Sequence, residues 1–289
     1  MDGLREALLR HMVRARAVSV RMVGLQQAAR IGYHASSIGD EAVVVGATLA
    51  AREADWLFPS MRDWAAALTR GMPLANYVHH AFGSKLDPAL GHAAPDHAPS
   101  RAFRVVPPSG VAGAHLPQAV GAAWAARTRK EPMSAIAFFG AEALDTGDFH
   151  NALNFAGVFK APVVFVCRAP VAERAVAYGL ASAKVDGGDA LAVHELVTAA
   201  LQREGATLIE AITPKFSGAT LIDLGPEDPI FRLAARAASE ILERESSLDE
   251  LESAIEAAEA AGPPAKATLF DHVYAEVPAH LRAQLRSLS

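Results

Sequence analysis

Cysteine and long apolar runs are scarce in this sequence of 289 residues. It contains one cysteine, Cys167, so a disulfide within the chain is excluded and a reducing, cytoplasmic compartment is favoured. No apolar run approaches the roughly 18–20 residues needed to cross a bilayer. Charges interrupt the N-terminal stretch throughout, which is not the pattern of a signal peptide. We therefore expect no membrane partner.

Charge of one sign and aromatic residues are limited as well. Lys and Arg number 27 against 32 Asp and Glu, which gives a net charge of −5 and no dominant basic face. Nucleic acid is therefore not expected as a partner. Hydrophobic residues make up 51% of the chain but aromatic residues only 7%. Alanine fills the difference, and its high helix propensity predicts a largely helical chain.

Apolar segments alternate with amphipathic ones in the middle of the sequence. SAIAFFG, DFHNALNFAGVFK and APVVFVC read as strand, helix and strand, and AKVDGG and ATLIEAIT add two further strands around a helix. A short strand or turn is expected at WLFPS. Because a strand–helix–strand unit implies parallel pairing, the pattern predicts a doubly wound, mostly parallel α/β sheet with flanking helices.

The two ends of the chain are predicted to add helices to this sheet. Residues 2–29 read as a long amphipathic helix whose arginines are solvated or face another subunit. We expect residues 1–225 to form the α/β domain, and residues 226–289 to add C-terminal helices and a docking tail to the same unit. Ser247 and Glu250 form a possible capping box at the start of a second C-terminal helix. The tail carries spaced apolar residues, Leu269, Phe270, Val273 and Tyr274.

The ends of two predicted strands are where a ligand of an open parallel sheet is expected. A Mg²⁺ ion there requires oxygen ligands, but the loops offer Ala141, Ala169 and Pro170. Glu142 and Asp145 are the nearest acidic residues. They can supply oxygen atoms, or they can belong to a solvated loop or to the cap of the helix that starts near Asp148.

Several segments together resemble a known family nearly end to end. RIGYHASSIGDEA, DWLFPSMRDWAAAL, HLPQAVGAAWAAR, GDFHNALNFAGVFKAPVVFVC, VDGGDALAV, TLIEAIT and LFDHVYAEVPAHLR are similar, in this order, to the α-subunit of the decarboxylating component of 2-oxo acid dehydrogenases, nearest the branched-chain type. The resemblance implies the thiamin-diphosphate-binding fold and an assembly of two α and two β subunits. It also implies a cofactor held by its diphosphate and Mg²⁺ on the α chain and by its aminopyrimidine on the β chain.

The metal-binding motif of that family is only partly present in this sequence. Some of its glycine and helix positions match, but its metal-ligand positions do not. Gly140, Gly147 and Asn154 match the motif, and Glu142 stands at its second glycine. Alanine or proline replaces the acidic ligand, both asparagines and the aromatic residue, at Ala141, Ala169, Pro170 and Ala172. Of the family's Tyr-Arg pair for the diphosphate, Arg62 alone remains.

Two loops that the resemblance places at the active site are shorter here. The segment after VVFVC passes quickly to the next strand, and PKFSGATLIDLGPEDP replaces a loop that carries a catalytic histidine. Ala219 lies near the position expected for this histidine, and no histidine occurs between His194 and His272.

These differences lead to a non-catalytic interpretation. We expect a structural or regulatory subunit with no catalytic residue, no metal and no bound cofactor, paired with itself, with a β-subunit-like chain, or with both. Its vestigial cofactor positions would be Arg62, Gly140, Glu142, Asp145, Gly147 and Asn154. The alternative is a working thiamin-diphosphate- and Mg²⁺-dependent α-subunit in which Glu142 or Asp145 replaces the missing acid and a β-subunit completes the site. A third interpretation gives the emptied pocket another small ligand.

Overall fold

A five-stranded parallel sheet organises the chain. The computed structural model describes residues 2–95, 97–98, 100–108, 110–213, 225–234, 238–271 and 273–288. The strands are β1 (Trp56–Phe58), β2 (Ala135–Phe139), β3 (Val163–Cys167), β4 (Ala181–Asp186) and β5 (Thr207–Ile212). They lie in the order β1-β2-β3-β5-β4, and every neighbouring pair is parallel. The predicted parallel sheet is confirmed, and its short first strand falls at WLF.

Helices cover both faces of this sheet, as predicted for a doubly wound fold. They are α1 (Asp2–Gln27), α2 (Glu41–Ala50), α3 (Ala65–Thr69), α4 (Leu74–Phe82), α5 (His115–Arg129), α6 (Gly147–Val158), α7 (Ala190–Leu201), α8 (Pro229–Ala234), α9 (Ala238–Ala261) and α10 (Ala279–Ser287). Successive side chains of a strand point to opposite faces, so each fully buried strand contributes to two cores. In β2, Ile136 and Phe138 pack with α1–α4, α7 and α9, whereas Ala137 and Phe139 pack with α5 and α6.

Three arginines of α1 pair with acidic residues elsewhere in the chain. Arg14 pairs with Glu250 of α9 at 2.6 Å, and Arg21 pairs with Glu252. Arg16 is buried between Glu41 and Asp228, and its Nη1 lies 2.9 Å from Asp228 Oδ2. Burial alone lowers the pKa of Arg16, but the two carboxylates raise it above its ordinary value. The prediction of a solvated or subunit-facing arginine face was wrong for Arg16, whereas Arg14 and Arg21 remain partly exposed.

Helix α9 is one continuous helix, not two helices divided at Ser247. Ser247 lies inside it and is buried, so it caps nothing. Leu251 and Ile255, one turn apart, are buried in the same core as α1 and α4. This packing outweighs the local capping preference of the Ser247 and Glu250 pair.

Of the four apolar residues that the sequence singles out in the C-terminal tail, one is buried. Phe270 is buried, whereas Leu269, Val273 and Tyr274 are each more than half exposed. No residue of α10 is buried within the described part of the chain. Among the described helices, none combines the length and apolarity that crossing a bilayer requires.

Candidate functional site

The carboxyl ends of β1, β3 and β5 bring polar side chains together at one edge of the sheet. Ser60 and Asp63 follow β1, Arg168 follows β3 directly, and Thr213 follows β5 directly. Asp40, at the start of α2, completes the group. Because parallel strands end at the same edge, this is the place where an open α/β sheet carries its ligands.

Arg168 is the centre of this group. Its guanidinium pairs with Asp63, donates to Ser60 Oγ at 3.1 Å and lies 3.6 Å from Asp40 Oδ2. Its side chain is 7% exposed, and both carboxylates are buried. Burial alone lowers the pKa of Arg168, but Asp63 and Asp40 raise it above its ordinary value. The side chain is therefore a fixed, fully charged cation inside the edge.

Arg62 pairs with the carboxylate of Asp40 from the solvent-exposed side. Its Nε donates to Asp40 Oδ2 at 2.8 Å, while Thr213 Oγ1 donates to Asp40 Oδ1 at 2.9 Å. The side chain of Arg62 is 50% exposed. Two arginines and two aspartates therefore neutralise one another, and we call Asp40, Arg62, Asp63 and Arg168 the ion cluster.

Two of the predicted cofactor positions, Gly140 and Glu142, lie in the turn after β2. Gly140 precedes a single turn of 3₁₀ helix, Ala141–Ala143, in which Glu142 is exposed. Oε1 of Glu142 folds back to accept a hydrogen bond from the Gly140 N–H at 3.2 Å. The carboxylate is therefore used locally by the turn that carries it.

Asp145 precedes α6 but does not cap this helix. The side chain of Asp145 is 95% exposed and lies 4.0 Å from Arg174. Thr146 is the N-cap of α6, where its Oγ1 accepts from the Phe149 N–H at 3.2 Å. Asp145 therefore belongs to a solvated loop, and a threonine that sequence reasoning overlooked caps the helix.

Gly147 and Asn154 lie on α6, a helix that carries no residue of the ion cluster. Gly147 is the first residue of the helix. Asn154 follows seven residues later, about 10 Å along the axis at 1.5 Å per residue, and is exposed. Of the six predicted cofactor positions, the described structure thus places Arg62 in the ion cluster, and Gly140 and Glu142 in the turn after β2.

The loop after β3 is tied down by a residue that sequence reasoning missed. Oε2 of Glu210, in β5, accepts from the N–H groups of Val171 and Ala172 at 2.7 and 2.9 Å. Burial alone raises the pKa of Glu210, but these two donors and Lys184 hold it below its ordinary value. A glutamate inside the apolar run TLIEAI was the available signal, because a buried charge in a strand needs partners.

A second overlooked residue is His115, at the start of α5. It is buried, and its Nε2 lies 2.7 Å from the Phe138 carbonyl oxygen, which fixes Nε2 as the protonated nitrogen. Nδ1 has no hydrogen-bond partner among the described residues. Burial lowers the pKa of His115 despite the Phe138 carbonyl, Asp63 and Glu142, which raise it. The imidazole is therefore neutral near pH 7.

The lone cysteine is part of the core. Cys167 ends β3 and is buried, and burial raises the pKa of its thiol to about 12. Because the thiolate is the reactive form, this residue is not a nucleophile near neutral pH.

Three positions of this edge at which metal ligands were expected carry no donor atom. Ala141, Ala169 and Pro170 stand where oxygen ligands were expected, and alanine and proline side chains have no donor atom. Within the described ranges, no three His, Cys, Asp or Glu side chains are placed together to hold a metal ion. The segment around Ala219 lies outside the described residues.

A comparison with known protein families agrees with the resemblance noted in the sequence. The profile of the family described as dehydrogenase E1 component matches residues 9–170, more than half of the chain. The chain belongs to this family of dehydrogenase E1 components.

Curated relatives support the same membership. The 2-oxoisovalerate dehydrogenase subunit alpha of Bacillus subtilis is 34% identical over 71% of the chain and 69% of its own length. The subunit of the same name in Pseudomonas aeruginosa is 30% identical over 97% of the chain and 80% of its own length. The match to subunit alpha 2 of Arabidopsis thaliana, at 34% identity, covers 65% of the chain but only 44% of that protein.

Solved structures support the fold alone. Transketolase from Campylobacter jejuni superposes with a TM-score of 0.57 at 17% identity, over 88% of this chain and 48% of that one. This E1 homologue therefore has the predicted thiamin-diphosphate-binding fold. The three positions where the resemblance places metal ligands, Ala141, Ala169 and Pro170, carry no side-chain donor atoms.

Proposed function

We propose that this E1 homologue is a non-catalytic α-type subunit with a structural or regulatory role. The observation that carries the proposal is the ion cluster beside Ala141, Ala169 and Pro170. An edge that binds a diphosphate through Mg²⁺ needs oxygen ligands for the metal and uncommitted cations for the phosphates. Here the ligand positions are apolar and the cations are already paired with Asp40 and Asp63.

The energetic consequence follows from the number of contacts involved. A hydrogen bond to a charged group contributes about 1.5–3 kcal/mol. Each loss of about 1.4 kcal/mol weakens binding tenfold. The loss of three metal ligands and the pairing of Arg62 with Asp40 therefore support weak binding, with a dissociation constant for the cofactor far above the micromolar range.

The proposal includes a protein partner but no cofactor. The relatives are named as alpha subunits of 2-oxoisovalerate and pyruvate dehydrogenases, which favours a role in an assembly. We infer a homo-oligomer, a complex with a β-subunit-like chain, or both, in the cytoplasm. No nucleic acid or membrane partner is proposed.

Titration calorimetry with thiamin diphosphate and Mg²⁺ tests the proposal. The natural chain is compared with a variant that combines Ala141→Asp, Ala169→Asn and Pro170→Asn. We expect no heat of binding from the natural chain and measurable binding to the variant. A micromolar dissociation constant for the natural chain would overturn the proposal.

One observation favours the alternative of an active thiamin-diphosphate-dependent subunit. Glu142 lies at the carboxyl edge, close enough to influence the pKa values of His115, Cys167 and Arg168. Release from the Gly140 N–H would free its carboxylate for a metal. This alternative predicts 2-oxo acid decarboxylation with a β-subunit, and loss of that activity in Glu142→Ala but not in Asp145→Ala.

A further inference from the structure

A buried ion pair lies away from the candidate site, where α4 meets the loop that follows it. Nδ1 of His80, on α4, lies 2.9 Å from Oδ1 of Asp87, and both side chains are 1% exposed. Nε2 of His80 lies 3.0 Å from the Ala94 carbonyl oxygen. One imidazole therefore connects α4 to two points of residues 84–94, which we call the Asp87 loop.

The two acceptors fix the protonation state of His80. A carbonyl oxygen only accepts, so Nε2 carries a proton. The two carboxyl oxygens of Asp87 accept from the Ala89 and Gly91 N–H groups, at 2.8 and 3.0 Å. Burial alone raises the pKa of this carboxyl, but the hydrogen bonds from His80 and from these two N–H groups hold it below its ordinary value. Because an ionised carboxylate also only accepts, Nδ1 carries a proton as well, and His80 is a buried imidazolium.

Among the described residues around this pair, His80 supplies the charge that balances Asp87. Burial lowers the pKa of the neighbouring His79 despite the charge of Asp87, so that imidazole is neutral near pH 7. Lys85 and His92 of the Asp87 loop are exposed. The residues of α9 buried in the same core as α4, and those of the following turn that contact the loop, are uncharged: Leu251, Ala254, Ile255, Ala258, Gly262 and Pro264.

The Asp87 loop contains a strained residue next to the pair. Leu90 has a φ of +52°, in the left-handed region that is unfavourable for residues other than glycine. Its N–H donates to the Asp87 backbone carbonyl at 2.9 Å, and the next N–H donates to the Asp87 carboxylate. Such a conformation persists only while the contacts around it are kept, so loss of the pair would let this turn relax.

The Asp87 loop also contacts the connection between α9 and the C-terminal tail. The Lys85 N–H donates to the Gly262 carbonyl oxygen at 2.7 Å. A Cβ atom added to Gly91 would lie 3.6 Å from Cγ of Pro264. Gly262 directly follows α9, so opening of the loop would remove contacts from the start of the C-terminal segment.

We propose that the His80–Asp87 pair is a pH-dependent switch, which closes the Asp87 loop on the turn after α9 while His80 is protonated and releases the loop when that proton is lost. The direction follows from proton linkage. Above the ordinary histidine pKa of about 6.5, the closed loop binds one more proton than the open loop. Rising pH therefore favours opening, and the pair is fully effective only below that pH.

Histidine-selective ¹⁵N NMR of the natural chain tests the protonation state directly. The His80 signals are assigned by their absence from the spectrum of His80→Gln. We expect both ring nitrogens of His80 to carry a proton at pH 7. A neutral imidazole with one protonated nitrogen at pH 7 would overturn the proposal.

Hydrogen exchange followed by mass spectrometry tests the opening. Peptides that cover the Asp87 loop give its opening constant after correction for the intrinsic exchange rate at each pH, with β2 as the internal reference. We expect this constant to rise about tenfold from pH 7 to pH 8, because opening releases one proton. His80→Gln should remove this dependence on pH. His280→Gln is the matched control and should keep it, since His280 lies on α10, where no residue is buried.

Circular dichroism shows whether the variants are folded, and Asp87→Asn replaces His80→Gln if the latter is not. Asp87→Asn removes the charge that holds the proton on His80 and should also abolish the dependence. An opening constant of the natural chain that does not change between pH 7 and pH 8, or one that changes equally in the folded variant, would contradict the switch. None of these measurements involves thiamin diphosphate, so their outcome is independent of the cofactor titration.

Discussion

Removal of the Arg168 guanidinium by Arg168→Met is the sharpest probe of the ion cluster. The substitution leaves Asp63 fully buried without a cation and leaves Asp40 with Arg62 and Thr213. Removal of one partner from a buried ion pair costs about 3–5 kcal/mol. Because Asp63 keeps its hydrogen bonds to Ser60, we expect the lower value, about 3 kcal/mol.

This loss of unfolding free energy corresponds to a measurable decrease in Tm. At about 2.1 cal/mol/K per residue, a chain of this length unfolds with an entropy of about 0.6 kcal/mol/K. A loss of about 3 kcal/mol therefore lowers Tm by about 5 °C in a scanning calorimeter. The exposed pair of Arg129 and Glu131, at 4.0 Å, supplies the control. Arg129→Met should lower Tm by less than about 2 °C, because exposed pairs contribute at most about 1 kcal/mol.

A double variant separates charge from packing. Arg168→Met with Asp63→Asn removes both members of the pair and should recover part of the lost stability, because the unpaired buried carboxylate is then absent. The reasoning fails if Arg168→Met is as stable as Arg129→Met, or if the double variant is no more stable than Arg168→Met alone.

Three further predictions concern groups outside this pair. Burial lowers the pKa of His34 to about 4, so the folded chain binds fewer protons than the unfolded chain, and stability is lost as pH falls from about 6.5 to 4. His34→Gln should flatten the dependence of Tm on pH in that window, and an unchanged slope would contradict this origin. Cys167 should not react with a maleimide reagent until the chain is unfolded, and rapid labelling of the folded chain would show that it is accessible. Glu210→Ala should destabilise the chain by about 1–3 kcal/mol in urea unfolding, because two buried N–H groups lose their acceptor, and an unchanged midpoint would refute that role.

Strands β2 and β3 could be predicted because each is a run of consecutive apolar residues. SAIAFFG and APVVFVC are uninterrupted apolar runs, and both became strands buried on two faces. Helix α9 was misjudged at Ser247 because a local capping pattern competes with packing against α1 and α4, which the local sequence does not show.

The candidate site was predictable only in part for a similar reason. Family resemblance directed attention to Arg62, and the ends of the strands followed from topology. The pairing of Arg62 and Arg168 with Asp40 and Asp63 joins residues up to 128 positions apart in the sequence, so no local pattern records it. Glu210 and His115 were missed because their partners are backbone groups of other elements.

The ion pairs between α1 and α9 cannot form until the ribosome has synthesised α9. Arg14 and its partner Glu250 are separated by 236 residues, which a ribosome needs roughly 10–50 s to add. During that time α1 lacks α9, against which it packs in the finished fold. Helix α1 therefore reaches its final environment only after α9 has been synthesised, and until then it can associate with chaperones or other chains.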